Sequence, residues 1–247
     1  MRSANPALND STFEQFDAVR TEDRMTLMGT VHKTGAMLLL LVLAASITWG
    51  MAMKGNAAAG TLAIVGAIGG LIIALITCFK MSWAPVTAPI YAALEGLFLG
   101  AISAVFEKMF PGIVLQAVGL TFGTLFALLA AYRSGYIKAT ENFKLGVVAA
   151  TGGIFLVYLV TWLLSIFGVT SVAHYIHGSG TFGICFSLFV VVIAALNLVL
   201  DFDFIENGAA MGAPKYMEWY GAFGLMVTLI WLYIEILHLL AKLRGGD

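Results

Sequence analysis

The chain has 247 residues, 60% of them hydrophobic and only 11% charged, with a formal net charge of -1 and a mean hydropathy of +0.94. That much apolar surface exceeds what one water-soluble core can bury, so a lipid bilayer must form part of the solvent. The near-neutral balance and the lack of a long basic block exclude a nucleic-acid partner, which needs clustered Lys and Arg to displace counterions.

The first 34 residues are mostly polar and carry both charge signs, in Asp10, Glu14, Asp17, Arg20, Glu22, Asp23 and Arg24. A cleavable signal peptide has a short basic start and an immediate apolar core, so this order predicts a first membrane helix that inserts and stays. Residues 1–34 are expected to form a cytoplasmic tail, with an amphipathic stretch around Phe13 to Val19 suited to the membrane surface. Residues 35–247 are expected to form the bundle.

Crossing about 30 Å of hydrocarbon takes about 20 apolar helical residues, because unsatisfied backbone groups cannot sit in lipid. Seven runs meet this: Gly35 to Met53, Ala58 to Phe79, Thr87 to Phe106, Ile113 to Tyr132, Leu145 to Phe167, Gly180 to Leu200 and Tyr220 to Leu240. A transmembrane β-barrel would show alternating stretches of about ten residues instead. The expected fold is an all-α integral membrane bundle of seven transmembrane helices. Cys78 and Cys185 lie inside apolar runs and read as small buried hydrophobes, not as a disulfide or metal set.

Orientation follows the positive charges. With the N-terminus inside, nine of the 13 Lys and Arg fall on the inner side: Arg2, Arg20, Arg24, Lys33, Lys80, Arg133, Lys138, Lys144 and Lys215. Lys54, Lys108, Lys242 and Arg244 fall outside. A cytoplasmic N-terminus and an external C-terminus are expected. Small residues at close-packing spacing, Gly96 with Gly100, Gly119 with Gly123, and Gly66, Gly69 and Gly70, predict seams between helices of one bundle.

A charged side chain near the bilayer centre costs about 2.5 to 3.5 kcal/mol on insertion scales. Glu95 lies within the third run, Asp201 closes the sixth, and Glu235 sits late in the seventh. Asp203 and Glu206 follow Asp201 and read as an interfacial cluster at a helix end. Two buried acids brought together share a proton, because like charges a few ångströms apart do not both ionise cheaply. Ionised, they become hard oxygen ligands for Ca²⁺, yet Ca²⁺ takes about six to eight oxygens, so two carboxylates suit weak, transient passage better than storage.

Enzyme signatures are scarce: there is no Gly-x-Ser-x-Gly, no His-Glu-x-x-His and no Gly-rich phosphate loop before a Lys. Asp201 and Asp203 lack the neighbouring Gly motifs of an intramembrane aspartyl protease. His174 and His177 have an i, i+3 spacing but no third ligand nearby, and read as solvated or interfacial. The chain is read as a non-enzyme without a cofactor.

The pattern resembles the Bax inhibitor-1 family, in particular its bacterial YccA-like branch. The resemblance is carried by Lys33-Thr34, by Ala88-Pro89-Ile90-Tyr91 with Leu94-Glu95-Gly96, and by Asn197-Leu198-Val199-Leu200-Asp201-Phe202-Asp203. It continues through Glu218-Trp219-Tyr220-Gly221 and Leu229-Ile230-Trp231-Leu232-Tyr233-Ile234-Glu235, so it runs from about residue 25 to the end of the chain. The resemblance implies six helices wrapped around a central seventh and a pH-sensitive Ca²⁺ leak in which an acid on the sixth helix pairs with one on the seventh. By position these are Asp201 and Glu235, with Glu95 as the acid of the Leu-Glu-Gly helix.

Three features depart from the relatives. The seventh-helix acid is Glu where the leak-channel relatives carry Asp. The connection from Ile205 to Tyr216 is longer. An arginine about three turns after the Leu-Glu-Gly acid is missing, and Val105-Phe106-Glu107-Lys108 stands there. The leading expectation is a pH-sensitive calcium leak channel of the bacterial inner membrane, with Asp201 and Glu235 as proton and weak Ca²⁺ ligands. The resemblance also implies an alternative, a regulator of a membrane-embedded AAA protease acting through its N-terminal tail. In a third reading the carboxylates only lock helices together.

Overall fold

The structure, a computed structural model, describes residues 23–169, 175–176 and 178–245. Its seven long helices are α1 Leu27–Met53, α2 Ala58–Phe79, α3 Ala84–Met109, α4 Ile113–Arg133, α5 Glu141–Ile166, α6 Thr181–Ala210 and α7 Met217–Arg244, with a 3-10 turn at Met81–Trp83. Each is long and apolar enough to cross a membrane. The described residues contain no strand, only an isolated antiparallel bridge between Arg24 and Pro214. The chain is an all-helical, multi-pass membrane protein. His174, His177 and the stretch Phe13 to Val19 lie outside the described residues.

The second helix has the predicted bounds, whereas the first and sixth are longer than their apolar runs. Thr26 starts α1 eight residues ahead of Gly35, its hydroxyl accepting the Gly29 amide at 3.0 Å. Hydropathy registers only the part of a helix that lies in lipid, and it misses the polar turns through His32 and Lys33. The sixth helix continues to Ala210, so Asp201 does not close it, and Asp203 and Glu206 stand on helical turns. The connection to α7 shrinks to residues 211–216, with Gly212 at φ +68° turning the chain. The seventh helix begins at Met217 rather than Tyr220.

The seventh helix is the core of the bundle. Its span is 56% buried, against 17% for α1, α2 and α5. It packs directly on α1, α3, α4 and α6, while α2 lies outside against α3 and α5 outside against α6. The expectation of six helices around a central seventh therefore holds for four direct neighbours with two helices in an outer layer. One side of α7 closes an apolar core with α1 and α3 through Met37, Ala92, Phe223 and Met226. The other closes a second core with α4 and α6 through Ile113, Ala117, Leu198, Leu232 and Leu237.

The α1–α3 contact depends on two glycines. A β-carbon at Gly96 would overlap the Leu41 carbonyl, and one at Gly100 the Ala45 carbonyl and the Thr48 hydroxyl. Gly66 likewise brings α2 onto the Leu94 carbonyl of α3. Gly119 and Gly123 do not form the predicted seam: nothing lies within 4 Å of where their β-carbons would be. Cys78 and Cys185 are free and exposed rather than buried. Both corrections have one cause: an apolar outward face costs nothing in lipid, so apolar context does not mark burial there.

A polar seam along helix α7

At the N-terminal end of α7 the structure builds a clamp. Glu218 is 0% exposed. Its carboxylate accepts the Thr26 amide at 2.9 Å and the Thr26 hydroxyl at 2.8 Å, and pairs with the ammonium groups of Lys33 and Lys215. Backbone bonds reinforce it: the Met25 amide donates to Ala213 at 2.7 Å and the Lys215 amide to Asp23 at 2.8 Å. Gly29 is needed because any side chain there would overlap the Glu218 carboxylate. Sequence reasoning placed Glu218 in a motif but not among the carboxylates in need of explanation. Its spacing of three from Lys215 was the available signal.

Beside the clamp, Asp203 pairs with Lys144 of α5 at 2.9 Å and accepts from Asn207 at 2.9 Å. Glu206 accepts the Tyr132 hydroxyl at 2.5 Å. These acids line an open polar cavity of about 540 Å³ together with Arg133 and Lys138. Both acids stand on helical turns of α6 rather than beyond its end.

Asp201 is half-buried between α6 and α7, facing Gly224 and the Thr228 side chain. Its Oδ2 is buried and has no hydrogen-bond partner among the described residues. One turn outward, Asn197 donates to the Thr151 hydroxyl of α5 at 2.8 Å. Glu235, 5% exposed, accepts the Tyr158 hydroxyl of α5 at 3.1 Å and the Trp231 indole at 3.2 Å. Near the C-terminal end of α7, Lys242, 8% exposed, donates to the Ser187 hydroxyl at 2.7 Å and to the carbonyls of Ile176 and Gly183 at 2.8 and 3.1 Å.

These contacts fix the antiparallel register of α6 against α7. Asp201 stands beside Thr228 and Ser187 beside Lys242, so equal lengths of the two helices separate the two contacts. The same register puts Glu235 opposite Ala194, which offers no polar atom. Glu235 therefore turns to α5. The structure does not bring Asp201 and Glu235 together as a proton-sharing pair. From Thr228 to Glu235 the helix rises about 10 Å at 1.5 Å per residue.

Glu95 lies apart on α3, half-buried, with its carboxylate over Gly70 of α2 and no hydrogen-bond partner among the described residues. Among the described residues no three His, Cys, Asp or Glu converge as a metal cluster. Where the relatives carry an arginine, Glu107 caps α4 by accepting the Gly112 and Val114 amides at 2.6 and 3.2 Å. Lys108 donates to the Ala52 carbonyl at 2.6 Å. A second cavity, about 410 Å³ between α1, α3, α4 and α7, is lined by such residues as Leu41, Val118 and Met226 and by no charged side chain. Of these two cavities, only the one beside Asp203 and Glu206 is lined by charged side chains.

The Bax inhibitor 1 like family model matches residues 5–245, nearly the whole chain. The chain belongs to this family. No curated protein and no solved structure shows significant similarity to it. Membership in a membrane family agrees with the seven apolar helices and with the central position of the helix that carries Glu235.

Proposed function

We propose that this member of the Bax inhibitor-1 family is a pH-sensitive calcium leak channel of the bacterial inner membrane, oriented with its N-terminus in the cytoplasm and close to the YccA-like branch. The observation that carries the reading is the Asp201 carboxylate on the α6–α7 seam, whose buried Oδ2 has no hydrogen-bond partner among the described residues and whose Oδ1 faces the side-chain-free Gly224. Acids inside a bundle are expensive, face the interior, and mark ion and proton pathways. Here one stands on the inner third of the α6–α7 seam and another, Glu235, on the outer third, with Asn197 and Thr151 between them.

The geometry favours two stations over one switch. To meet Asp201, Glu235 would have to slide about two helical turns, beyond the one-turn ratchets known for packed elements. Each station supplies one carboxylate and a few neutral oxygens, fewer than the six to eight oxygens that hold Ca²⁺ firmly. A weakly held ion leaves as readily as it enters, as conduction requires. Gain or loss of a proton at either carboxylate changes the charge of the seam, and so couples passage to pH.

Ca²⁺ entry into proteoliposomes, followed from about pH 5 to about pH 8, tests the proposal. The expected result is a pH-dependent flux whose pH dependence is lost or strongly shifted in Glu235→Gln. No flux at any pH from a folded sample would overturn the leak and leave the carboxylates as structural locks or the protein as a contact regulator of a membrane protease.

A further inference from the structure

The outer end of the seam holds a charge that the leak reading does not use. Lys242 is buried, and among the described residues its ammonium has no carboxylate within bonding distance. Its hydrogen-bond partners are three uncharged oxygens: the Ile176 and Gly183 carbonyls and the Ser187 hydroxyl. The nearest acid that acts on it, Glu235, lies two turns inward on the same helix. A buried ammonium answered only by dipoles is an expensive way to tie a loop to a helix, which a neutral donor would do at lower desolvation cost. A ring of carbonyl and hydroxyl oxygens is, however, the kind of surface that replaces the hydration shell of a small cation.

The cage is also built around close approach. Gly183 lets the carbonyls of Gly178 and Ile176 come close to the first turn of α6, since a β-carbon there would overlap the Gly178 carbonyl. Two other cations of this end are used differently. Lys108 and Arg244 sit at the rim, where Arg244 ties α7 to the α3–α4 turn through the Pro111 carbonyl at 3.0 Å and Gln116 at 2.8 Å. Only Lys242 reaches inward, on the line that continues through Glu235.

We infer that the Ile176, Gly183 and Ser187 oxygens form a binding site for a small cation, and that the Lys242 ammonium is its tethered occupant, closing the outer end of the seam. The site stands by itself; its closing role rests on the leak reading. Truncating the lysine should free the cage for a primary ammonium that replaces the lost atoms.

The experiment uses the full chain in lipid nanodiscs and in proteoliposomes. In Lys242→Ala the melting temperature should fall, and n-propylammonium, which replaces the missing methylenes and ammonium, should restore at least half of the loss. Neutral n-propanol and bulky tetramethylammonium should not, and the wild type should not respond to any of them. Lys242→Met, which keeps the stem but not the charge, serves if the alanine variant does not fold, with ammonium itself as the probe. Absence of rescue, or equal rescue by propanol, overturns the site whatever the flux shows.

For the closing role, Lys242→Ala should conduct several-fold more than wild type, propylammonium should suppress the excess, and Lys242→Arg should behave as wild type. Arg244→Ala loosens the same end with the cage still filled and should leave the flux unchanged. An equal rise in Arg244→Ala overturns closure. Ammonium rescue with no flux in any variant overturns the leak and the closing role and upholds the site.

Discussion

Removing the Glu218 carboxylate should cost more than removing any other single acid of this chain, and the structure says roughly how much. Glu218→Ala deletes two hydrogen bonds from Thr26 to a charged acceptor, worth about 1.5 to 3 kcal/mol each, and leaves the Lys33 ammonium, 17% exposed, without its partner. Breaking one side of a buried pair costs about 3 to 5 kcal/mol, and since these contributions share one carboxylate they overlap rather than add. Lys215 is half exposed, so its share is below about 1 kcal/mol. The net expectation is about 3 to 5 kcal/mol for Glu218→Ala, and roughly half for Glu218→Gln, which keeps an acceptor for Thr26. Thermal or denaturant unfolding in nanodiscs gives the first readout. Tryptic cleavage after Arg24 gives the second, because the clamp pairs Arg24 with Pro214 and buries Met25 beside it. Glu218→Ala should be cut much faster than wild type in its folded state. A loss below about 1 kcal/mol with unchanged cleavage would refute the clamp as what fixes α1 to α7.

Three further outcomes follow from the same geometry. Gly100→Leu should separate α1 from α3, because even a β-carbon there overlaps the Ala45 carbonyl. Little folded protein is expected, whereas Gly119→Leu, facing open space, should be tolerated; monodispersity by size exclusion checks both. Deleting residues 2–22 spares the Asp23 and Met25 bonds and should preserve Ca²⁺ flux. Loss of an effect on proteolysis with flux intact would instead mark the tail as a protease contact. Asp201→Asn and Glu235→Gln should shift the pH dependence of flux additively, since sites about 10 Å apart without shared partners behave independently. Strong non-additivity in the double variant would restore the proton-sharing pair.

The seven spans were legible because an apolar run of about 20 residues admits few other structures. Their ends were less so: polar turns such as those holding Lys33 and Asp203 continue a helix beyond lipid, and hydropathy is blind to them. The three costly carboxylates were also legible, since any acid inside an apolar run calls for an explanation. Their partners were not. Whether Glu235 meets Asp201 depends on the α6–α7 register, which Lys242 with Ser187 and Asp201 with Thr228 establish only in three dimensions. Glu218 escaped because its position beside polar residues made it look interfacial, although it is the most enclosed acid described. The Gly119 and Gly123 pair shows the converse error, a packing motif that has no helix to pack on.

The arrangement also constrains how a pathway here could open. The seventh helix is tied at both ends, by Glu218 to α1, by Lys242 to the start of α6 and by Arg244 to the α3–α4 turn. The first and third helices are locked together by glycine contacts with backbone on the opposite side. A rigid α7 cannot move its own acids far, so access to them has to change through a neighbour. The fifth helix is the least held among the described residues: it packs mainly on α6, around Ile154, Val190 and Ile193, and meets α7 at Trp231 and through the Tyr158 hydroxyl. It also carries Lys144 and Thr151, the partners of Asp203 and Asn197. A displacement of α5 away from α6 would remove the α5 partners of Asp203, Asn197 and Glu235 in one step, at the cost of three polar contacts and the apolar cluster of Ile154 with Val190 and Ile193. The same displacement would leave both apolar cores of α7 intact. Opening by this route costs less than unfolding, as the proposed pH-controlled leak requires.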